Sequence, residues 1–480
     1  MQPIRYMSQI PGHSSAASDY RPVTSPYTGE VVGEVAHVDS DGARIALDAA
    51  VGARKTVADS YPAYRRAEIL GRTADLVYAS ADSLALLIAT EGGKPLTDAR
   101  AEVVRVENTV RLAAEEATRV GGTEIPMQGT EASLGRLAFT TRAPIGGVVA
   151  VSAFNHPLNL IAHQVAPAIA AGCPVLVKPA ADTPLSCMRF IELLHEAGAP
   201  AEMAMAVPCG RDVAQELVTS DRIAFFSFIG SARVGWQLRS QLAPGVRCAL
   251  EHGGAAPVIV DASADLDTAV PALVKGAFYH AGQVCVSVQR VFAHRSCAAD
   301  LAGRMATAAG ELAVGDPTLP ATEVGPLIRE REIERVHEWV QEAVSGGAEL
   351  LCGGEALGNQ CYAPTVLVDA PPTAKVMTEE IFGPVVCVST WDSLDDAITR
   401  ANDVPLAFQA AVFSSDIDTA LAAAKGLDAT AVMVNDHTAF RVDWMPFGGR
   451  GPSGLGMGGI APAMHELTQE KMIVFKSAGL

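Results

Sequence analysis

The sequence predicts an α/β protein with two large lobes built on parallel sheets and a smaller β element set apart from both. Three observations lead there. At 480 residues the chain exceeds what one core supports, since single cores stop growing near roughly 250–300 residues. From Pro144 onward, short apolar runs alternate with helical patterns, the rhythm of βαβ units that lays strands parallel with helices on the sheet faces. Between Gly121 and Arg142 the pattern turns to alternating, turn-rich sequence, which suits a β excursion able to pair with the C-terminal run Lys471–Lys476.

Taken in order, the first 20 residues hold no continuous apolar stretch of the signal-peptide kind and are expected to fray. From Asp41 to Ala117, Ala, Leu and Val recur at three- and four-residue spacing, predicting packed helices broken at Tyr61-Pro62 and Gly92-Gly93. Next come a strand in GGVVAVSAF, a helix from Leu158 to Ala171, a strand in PVLVKPA and a helix from Leu185 to Ala197. A third strand, Ile223 to Phe228, runs into IGSARVGWQLR, where Gly230 and Ser231 separate strand end from helix start. Such a turn aims backbone N–H groups and a helix dipole at an anion such as a pyrophosphate. A turn of this kind without a ligand is the commoner case, and no GxGxxG fingerprint accompanies it. A second series places strands near 256–261, 288–295 and 385–391, and the glycine cluster at 446–459 reads as loop.

Composition narrows the function. Hydrophobic residues at 49% and charged residues at 19% describe a well-packed globule with a sizeable core. With 36 Lys+Arg against 54 Asp+Glu, the net charge of −18 repels nucleic acid and anionic membrane surfaces, so neither is an expected partner. An anionic ligand would need a locally basic pocket, which makes individual arginines worth tracing. The nine cysteines form no CxxC pair and are odd in number, as suits a reducing cytoplasm. No cluster points to a metal.

Chemistry gathers around Cys285 in FYHAGQVCVSVQR, with Glu251 lying 34 residues earlier in CALEHGGAAPVIV. A thiolate is the strongest side-chain nucleophile near neutral pH, although a lone Cys in an apolar segment is more often an inert buried thiol. These two segments, with FNHPLNL around Asn155, VLVKPAADTP around Lys178, FIGSARVG around Gly230, EEIFGPV around Glu380 and MPFGGRGPSG around Phe447, together resemble the aldehyde dehydrogenase superfamily over residues 20–475.

The resemblance implies a fold with a Rossmann-like cofactor domain (1–120 and 143–252), an α/β catalytic domain (253–445) and an oligomerisation element (121–142 and 460–480). It implies NAD(P)-dependent oxidation of an aldehyde to a free acid by a homodimer or homotetramer. Cys285 would attack the carbonyl carbon, forming a thiohemiacetal and then a thioester. The Asn155 carboxamide and the Cys285 backbone N–H would hold the oxyanion, each such donor being worth on the order of 3 kcal/mol. Glu251 would serve as general base for deacylation. Lys178 resembles the lysine at the adenine ribose, Glu380 the carboxylate at the nicotinamide ribose and Phe382 the ring beside it. Gly230 and Ser231 would meet the pyrophosphate, with Val234 among the cofactor contacts. Ala181 stands where NAD-preferring members often carry Glu, and without that carboxylate a 2′-phosphate is not repelled, which leaves NAD and NADP both open. His252 replaces a usual Leu; it either bonds near Glu251 or faces solvent.

For the aldehyde, 156, 159, 160 and 163 share one helical face, so His156, Asn159 and His163 are expected in the substrate tunnel. Left unpaired by an apolar aldehyde, each would cost roughly 1–3 kcal/mol. Arg105 falls on a helix position that faces the tunnel in relatives. Arg441, in FRVDWMPFGG, resembles an arginine of lactaldehyde, phosphonoaldehyde and non-phosphorylating glyceraldehyde-3-phosphate dehydrogenases that can grip an anionic tail. The plain alternatives are a solvated Arg105 and an Arg441 paired with Asp443. The expectation is a short aldehyde with a hydroxyl, phosphonate, phosphate, sulfonate or carboxylate group. Rival readings are a dehydrogenase of general aliphatic aldehydes, a catalytically retired binding protein, and a cysteine hydrolase activated by His280. Gly451, GMGG and Gln164 depart from the family pattern without touching Cys285, Asn155 or Glu251.

Overall fold

A computed structural model describes residues 4–14, 16 and 19–480. The expected frayed start falls partly on residues 1–3, 15, 17 and 18, outside the described residues. Of the rest, Ile4–Tyr6 is a strand, paired parallel with Gly33 to Val35 in a three-stranded sheet completed by Tyr20–Thr24.

Two parallel sheets carry the molecule. In the first, the strand order is 454–455, 247–251, 225–229, 148–151, 175–178, 204–206, parallel throughout except for the antiparallel edge Gly454–Leu455. The chain enters at Val148–Val151, steps outward twice, then returns to the opposite side of that strand with Phe225–Ile229. This reversal is a topological switch point, where a crevice opens beyond the strands' carboxyl ends. The second sheet runs 349–352, 365–368, 385–391, 288–294, 256–260, 409–413, 431–434 and is antiparallel only at 349–352. Its central strands, such as APVIV and VVCVSTW, are almost wholly buried, as strands covered on both faces must be.

The β excursion pairs with the C-terminal run as the sequence suggests, in an unbroken antiparallel register from Thr468 opposite Pro144 to Lys476 opposite Arg136. The N-terminal helices span Ser40–Ser60, Ala63–Ala79, Ala81–Gly92 and Leu96–Ala117. Two of the three breaks were marked by Pro or Gly; the third, at Ser80, was not. The glycine cluster is more than loop, since Gly451–Ser453 forms a 3-10 turn and Gly454–Leu455 joins the sheet edge. Among the described residues no single helix is long and apolar enough to cross a membrane.

Two buried glutamates lock the helix layer to the sheet layer. Glu91 accepts from the backbone N–H groups of Leu185 at 2.8 Å and Ser186 at 2.9 Å. Glu102 does the same for Leu158 and Asn159, both at 3.0 Å. Each carboxylate satisfies orphan donors at a helix N-terminus and meets the positive end of its dipole. Glu102 thereby fixes the turn holding Asn155 and His156.

Candidate active site

A cavity of about 590 Å3 opens where the two sheets face each other. The first sheet contributes from its carboxyl ends: Asn155 follows Val148–Val151, Lys178 ends Val175–Lys178, Gly230 and Ser231 follow Phe225–Ile229, and Glu251 ends Arg247–Glu251. The second contributes from its amino ends, with Cys285 ahead of Val288–His294 and Glu380 and Phe382 ahead of Val385–Trp391.

Asn155 is buried, and its Nδ2 donates to the Gln283 carbonyl at 2.9 Å. Gln283 is itself pinned: its Oε1 accepts from Ile328 N at 3.0 Å and its Nε2 donates to Pro326 O at 3.2 Å. The carboxamide and the Cys285 loop are thus one rigid unit. Ahead of it the backbone turns through left-handed conformations at His280 (φ 47°) and Ala281 (φ 54°). Gly282 follows because a Cβ there would lie 2.1 Å from the Gly383 carbonyl oxygen.

Cys285 sits among Val284, Val286, Phe408 and Phe447. Burial, then Glu380 and Glu251, push its thiol up to about 12, with Arg441 opposing. Burial also raises Glu251, again against Arg441. Glu251 rests on the glycine loop, its Oε1 where a Cβ on Gly458 would come within 2.3 Å. Glu380 rests on the paired glycines after Glu251: a Cβ on Gly253 would lie 1.7 Å from its Oε1. That oxygen has no hydrogen-bond partner, and burial raises the carboxyl to about 8.

Toward the other end of the cavity lie Lys178, Ala181, Arg211, Gly230, Ser231, Arg233, Val234 and Phe382. Burial pulls Lys178 below its ordinary range. The side chains of Lys178, Arg211 and Arg233 have no hydrogen-bond or salt-bridge partner among the described residues. Asp182 is occupied by a two-pronged contact from Arg329, Nε to Oδ1 at 2.8 Å. A crevice at a switch point, partnerless cations for phosphates and an orphaned carboxylate oxygen for a ribose hydroxyl fit a dinucleotide. His252 takes the first of its two alternatives: it is buried rather than facing solvent, its Nδ1 donates at 2.8 Å to the carbonyl of Gly230, whose N–H donates to the Glu251 carbonyl, and its ring lies against Phe228 and Trp236. It ties the turn at Gly230 and Ser231 to the strand bearing Glu251.

At the near end the polar residues divide. The Arg441 guanidinium lies 3.7 Å over the Phe447 ring, and no hydrogen-bond or ion-pair partner reaches it among the described residues. Burial lowers it to about 10 despite Glu251 beside it. Asp443 pairs instead with Arg105, at 2.8 Å, which overturns both a solvated Arg105 and an Arg441–Asp443 pair. His163 departs from expectation too. It is bonded to Asp443 at 3.0 Å and Thr109 at 3.3 Å and lies outside the main cavity, in a small recess shared with Glu251 and Arg441. His156 lines the cavity, but from the turn before the helix, which starts at Asn159. Asn159 also lines it while accepting from Thr109 at 3.3 Å. His280 is buried with its Nδ1 unpartnered and makes no bond to Cys285, so the hydrolase pairing is absent. Sequence reasoning missed Lys94 and Tyr279 at this end. Lys94 meets His156, and Tyr279 stacks on it. Helical spacing gave no sign of either, because both arrive from other segments.

Residues 13–473 match the aldehyde dehydrogenase family. The chain is 36% identical over 472 residues to 3-sulfolactaldehyde dehydrogenase of Priestia megaterium, covering 98% of each protein. Among solved structures, aldehyde dehydrogenase 21 of Physcomitrella patens in complex with the reaction product succinate superposes with a TM-score of 0.96, at 34% identity and 100% coverage of both chains. Glyceraldehyde-3-phosphate dehydrogenase GapN of Methanocaldococcus jannaschii, complexed with NADP, gives a TM-score of 0.92 at 33% identity, covering 96% of this chain and 100% of that one. With a crevice suited to a dinucleotide and a match running almost end to end, the chain belongs to the aldehyde dehydrogenase family, whose members oxidise aldehydes with NAD or NADP.

Proposed function

We propose that this chain oxidises a short polar or anionic aldehyde to the free carboxylic acid, with Cys285 as nucleophile. One observation carries the substrate class: Arg441, half-buried beside Cys285 and Glu251, has no counter-ion in contact among the described residues. An uncompensated buried cation is costly, and an anionic or strongly polar ligand supplies what the protein withholds. Arg105, with Nε unpartnered, stands by as a second donor. The relatives' names accord with this reading, through a sulfonated hydroxyaldehyde in one and a dicarboxylate product in another.

In the proposed reaction, Cys285 Sγ bonds to the aldehyde carbon while its proton leaves toward Glu251. Asn155 Nδ2 and the Cys285 N–H hold the oxyanion. When bound, the nicotinamide accepts the hydride released as the adduct collapses to a thioester. Glu251 passes the thiol proton on to solvent and, again a carboxylate, takes a proton from water, which adds to the thioester carbon; the C–S bond breaks, the sulfur recovers its proton from Glu251 and the acid departs with the thiol restored. Lys178, Gly230, Ser231, Val234, Glu380 and Phe382 would hold the cofactor, and Ala181 would leave room beside the adenine ribose. A homo-oligomer is also proposed, through the free edge of Thr468–Lys476, where Met472, Val474 and Phe475 are exposed.

Steady-state kinetics with NAD and NADP decides the substrate class. Sulfolactaldehyde, succinic semialdehyde or lactaldehyde should exceed hexanal and benzaldehyde in kcat/KM; the reverse order sinks the proposal.

A further inference from the structure

The ion pair of Lys94 and Glu102 is fully buried and takes no part in the chemistry proposed above. Glu102 has its structural use at the helix N-terminus. Lys94 has a second contact: its Nζ lies 2.8 Å from Nδ1 of His156. An ammonium group only donates, and although burial pulls Lys94 below its ordinary range, the Glu102 carboxylate in contact with it opposes that and favours the ammonium. The facing Nδ1 must therefore carry its lone pair. In a neutral imidazole the one proton then sits on Nε2. His156 is neutral, since burial and then Lys94 push it down to about 4. Glu102 Oε2, 3.6 Å from Nδ1, lies beyond ordinary hydrogen-bond reach and farther than the 2.8 Å Lys94 contact, though its charge opposes the lowering of the imidazole. Tyr279 stacks on the imidazole at 5.9 Å and 27°, fixing its plane. Nε2 has no partner among the described residues, and His156 lines the cavity at the position directly after Asn155.

We infer that Lys94 locks His156 as the Nε2–H tautomer, and that this neutral donor reads a hydroxyl oxygen on the carbon next to the aldehyde, making the substrate a 2-hydroxyaldehyde. The inference rests on the polar-aldehyde reading and narrows it. The carbonyl oxygen already has two donors in that reading, Asn155 and the Cys285 N–H, so a third donor one residue away falls to the neighbouring substituent. Anionic groups belong to Arg441; a neutral donor of fixed tautomer suits a hydroxyl. Lys94 is a positioning residue, acting only through His156.

The test compares kcat/KM for lactaldehyde and propanal, which differ by the hydroxyl and not by charge, so the arginines weigh on both alike. His156→Phe should lower the lactaldehyde-to-propanal ratio about tenfold, the size of one hydrogen bond, and His156→Gln should restore part of it. An unchanged ratio in His156→Phe overturns the inference. Lys94→Met strands the Glu102 charge and can fail to fold, so Lys94→Met/Glu102→Gln accompanies it; either folded variant should lose part of the ratio. Independently, the imidazole 15N shifts of His156, assigned by their loss in His156→Phe, should report Nε2–H in the native protein. An Nδ1–H tautomer overturns the lock. A native enzyme that favours succinic semialdehyde over propanal but shows no lactaldehyde preference keeps the polar reading and loses this one. One that favours hexanal and benzaldehyde over every polar aldehyde loses both.

Discussion

The two ends of the cavity use charge in opposite ways. At the end proposed for the dinucleotide, the side chains of Lys178, Arg211 and Arg233 stand without hydrogen-bond or ion-pair partners among the described residues, and Glu380 keeps a bare oxygen. At the end proposed for the aldehyde, Lys94 is held by Glu102, and Arg105 and His163 share Asp443, so that among the described residues few polar groups are left over, chiefly Arg441, His156 Nε2 and the Nε of Arg105. A large ligand with several phosphates and hydroxyls can supply many partners at once. A small aldehyde can supply one or two, so the protein must neutralise the rest itself. Counting polar residues around such a pocket overstates what the substrate meets; the informative groups are those still unpaired.

Cys285→Ala separates the ends most sharply. Dehydrogenase activity should fall by roughly ten-thousandfold or more, the scale of losing a nucleophile, while the dissociation constant of NAD(P)H, read from its fluorescence, stays within about twofold. Retained activity would remove Cys285 from the reaction. Lost cofactor binding would show that the two ends are not independent.

Arg441→Leu tests whether the leftover charge is meant for substrate. For succinic semialdehyde kcat/KM should drop by roughly a hundredfold, as befits losing charge-assisted hydrogen bonds, with little change for propanal. Equal losses for both aldehydes would reduce Arg441 to a packing role over Phe447.

This contrast also explains what was legible in the sequence. The end proposed for the dinucleotide is assembled from strand ends and the turns that follow them, so the turn at Gly230 and Ser231 could be placed from local pattern, Lys178 only through the family resemblance, and the α/β rhythm announced both sheets. The short strands Ala204–Ala206, Thr365–Val368, Gln409–Phe413 and Ala431–Val434 escaped notice, because periodicity cannot tell a brief apolar run from buried helix. The aldehyde end depends on contacts between distant segments. Asp443 lies 338 residues from Arg105 and chooses it over the neighbouring Arg441, and His163 is drawn to the same carboxylate. No spacing rule encodes that competition. Its outcome rests on which cation packs over Phe447 and which reaches the carboxylate.

At the dinucleotide end, Ala181→Glu should convert open space into selection. The new carboxylate would lie beside Lys178, with Asp182 already neutralised by Arg329. Repulsion of a 2′-phosphate should raise the NADP dissociation constant about tenfold or more while NAD binding holds or improves. Unchanged binding of both would place the adenine ribose away from this wall.

The smallest effect concerns Glu380, whose charge acts on the Cys285 thiol. Glu380 lies on Gly253 and, after burial, is the largest cause of the raised Cys285 thiol. A raised thiol is protonated below its pKa, so alkylation by iodoacetamide without cofactor should climb by about one log unit per pH unit through the neutral range without levelling, since the thiol titrates only at about 12. Glu380 itself titrates at about 8 and repels the thiolate only once ionised. Glu380→Gln should therefore match the native profile near pH 7 and run severalfold faster above about pH 8, where the native carboxylate is charged. A native plateau below pH 9 would show that burial does not raise the thiol, and a variant slower than native at high pH would show that Glu380 does not repel the thiolate and that the cavity's two ends are electrostatically separate.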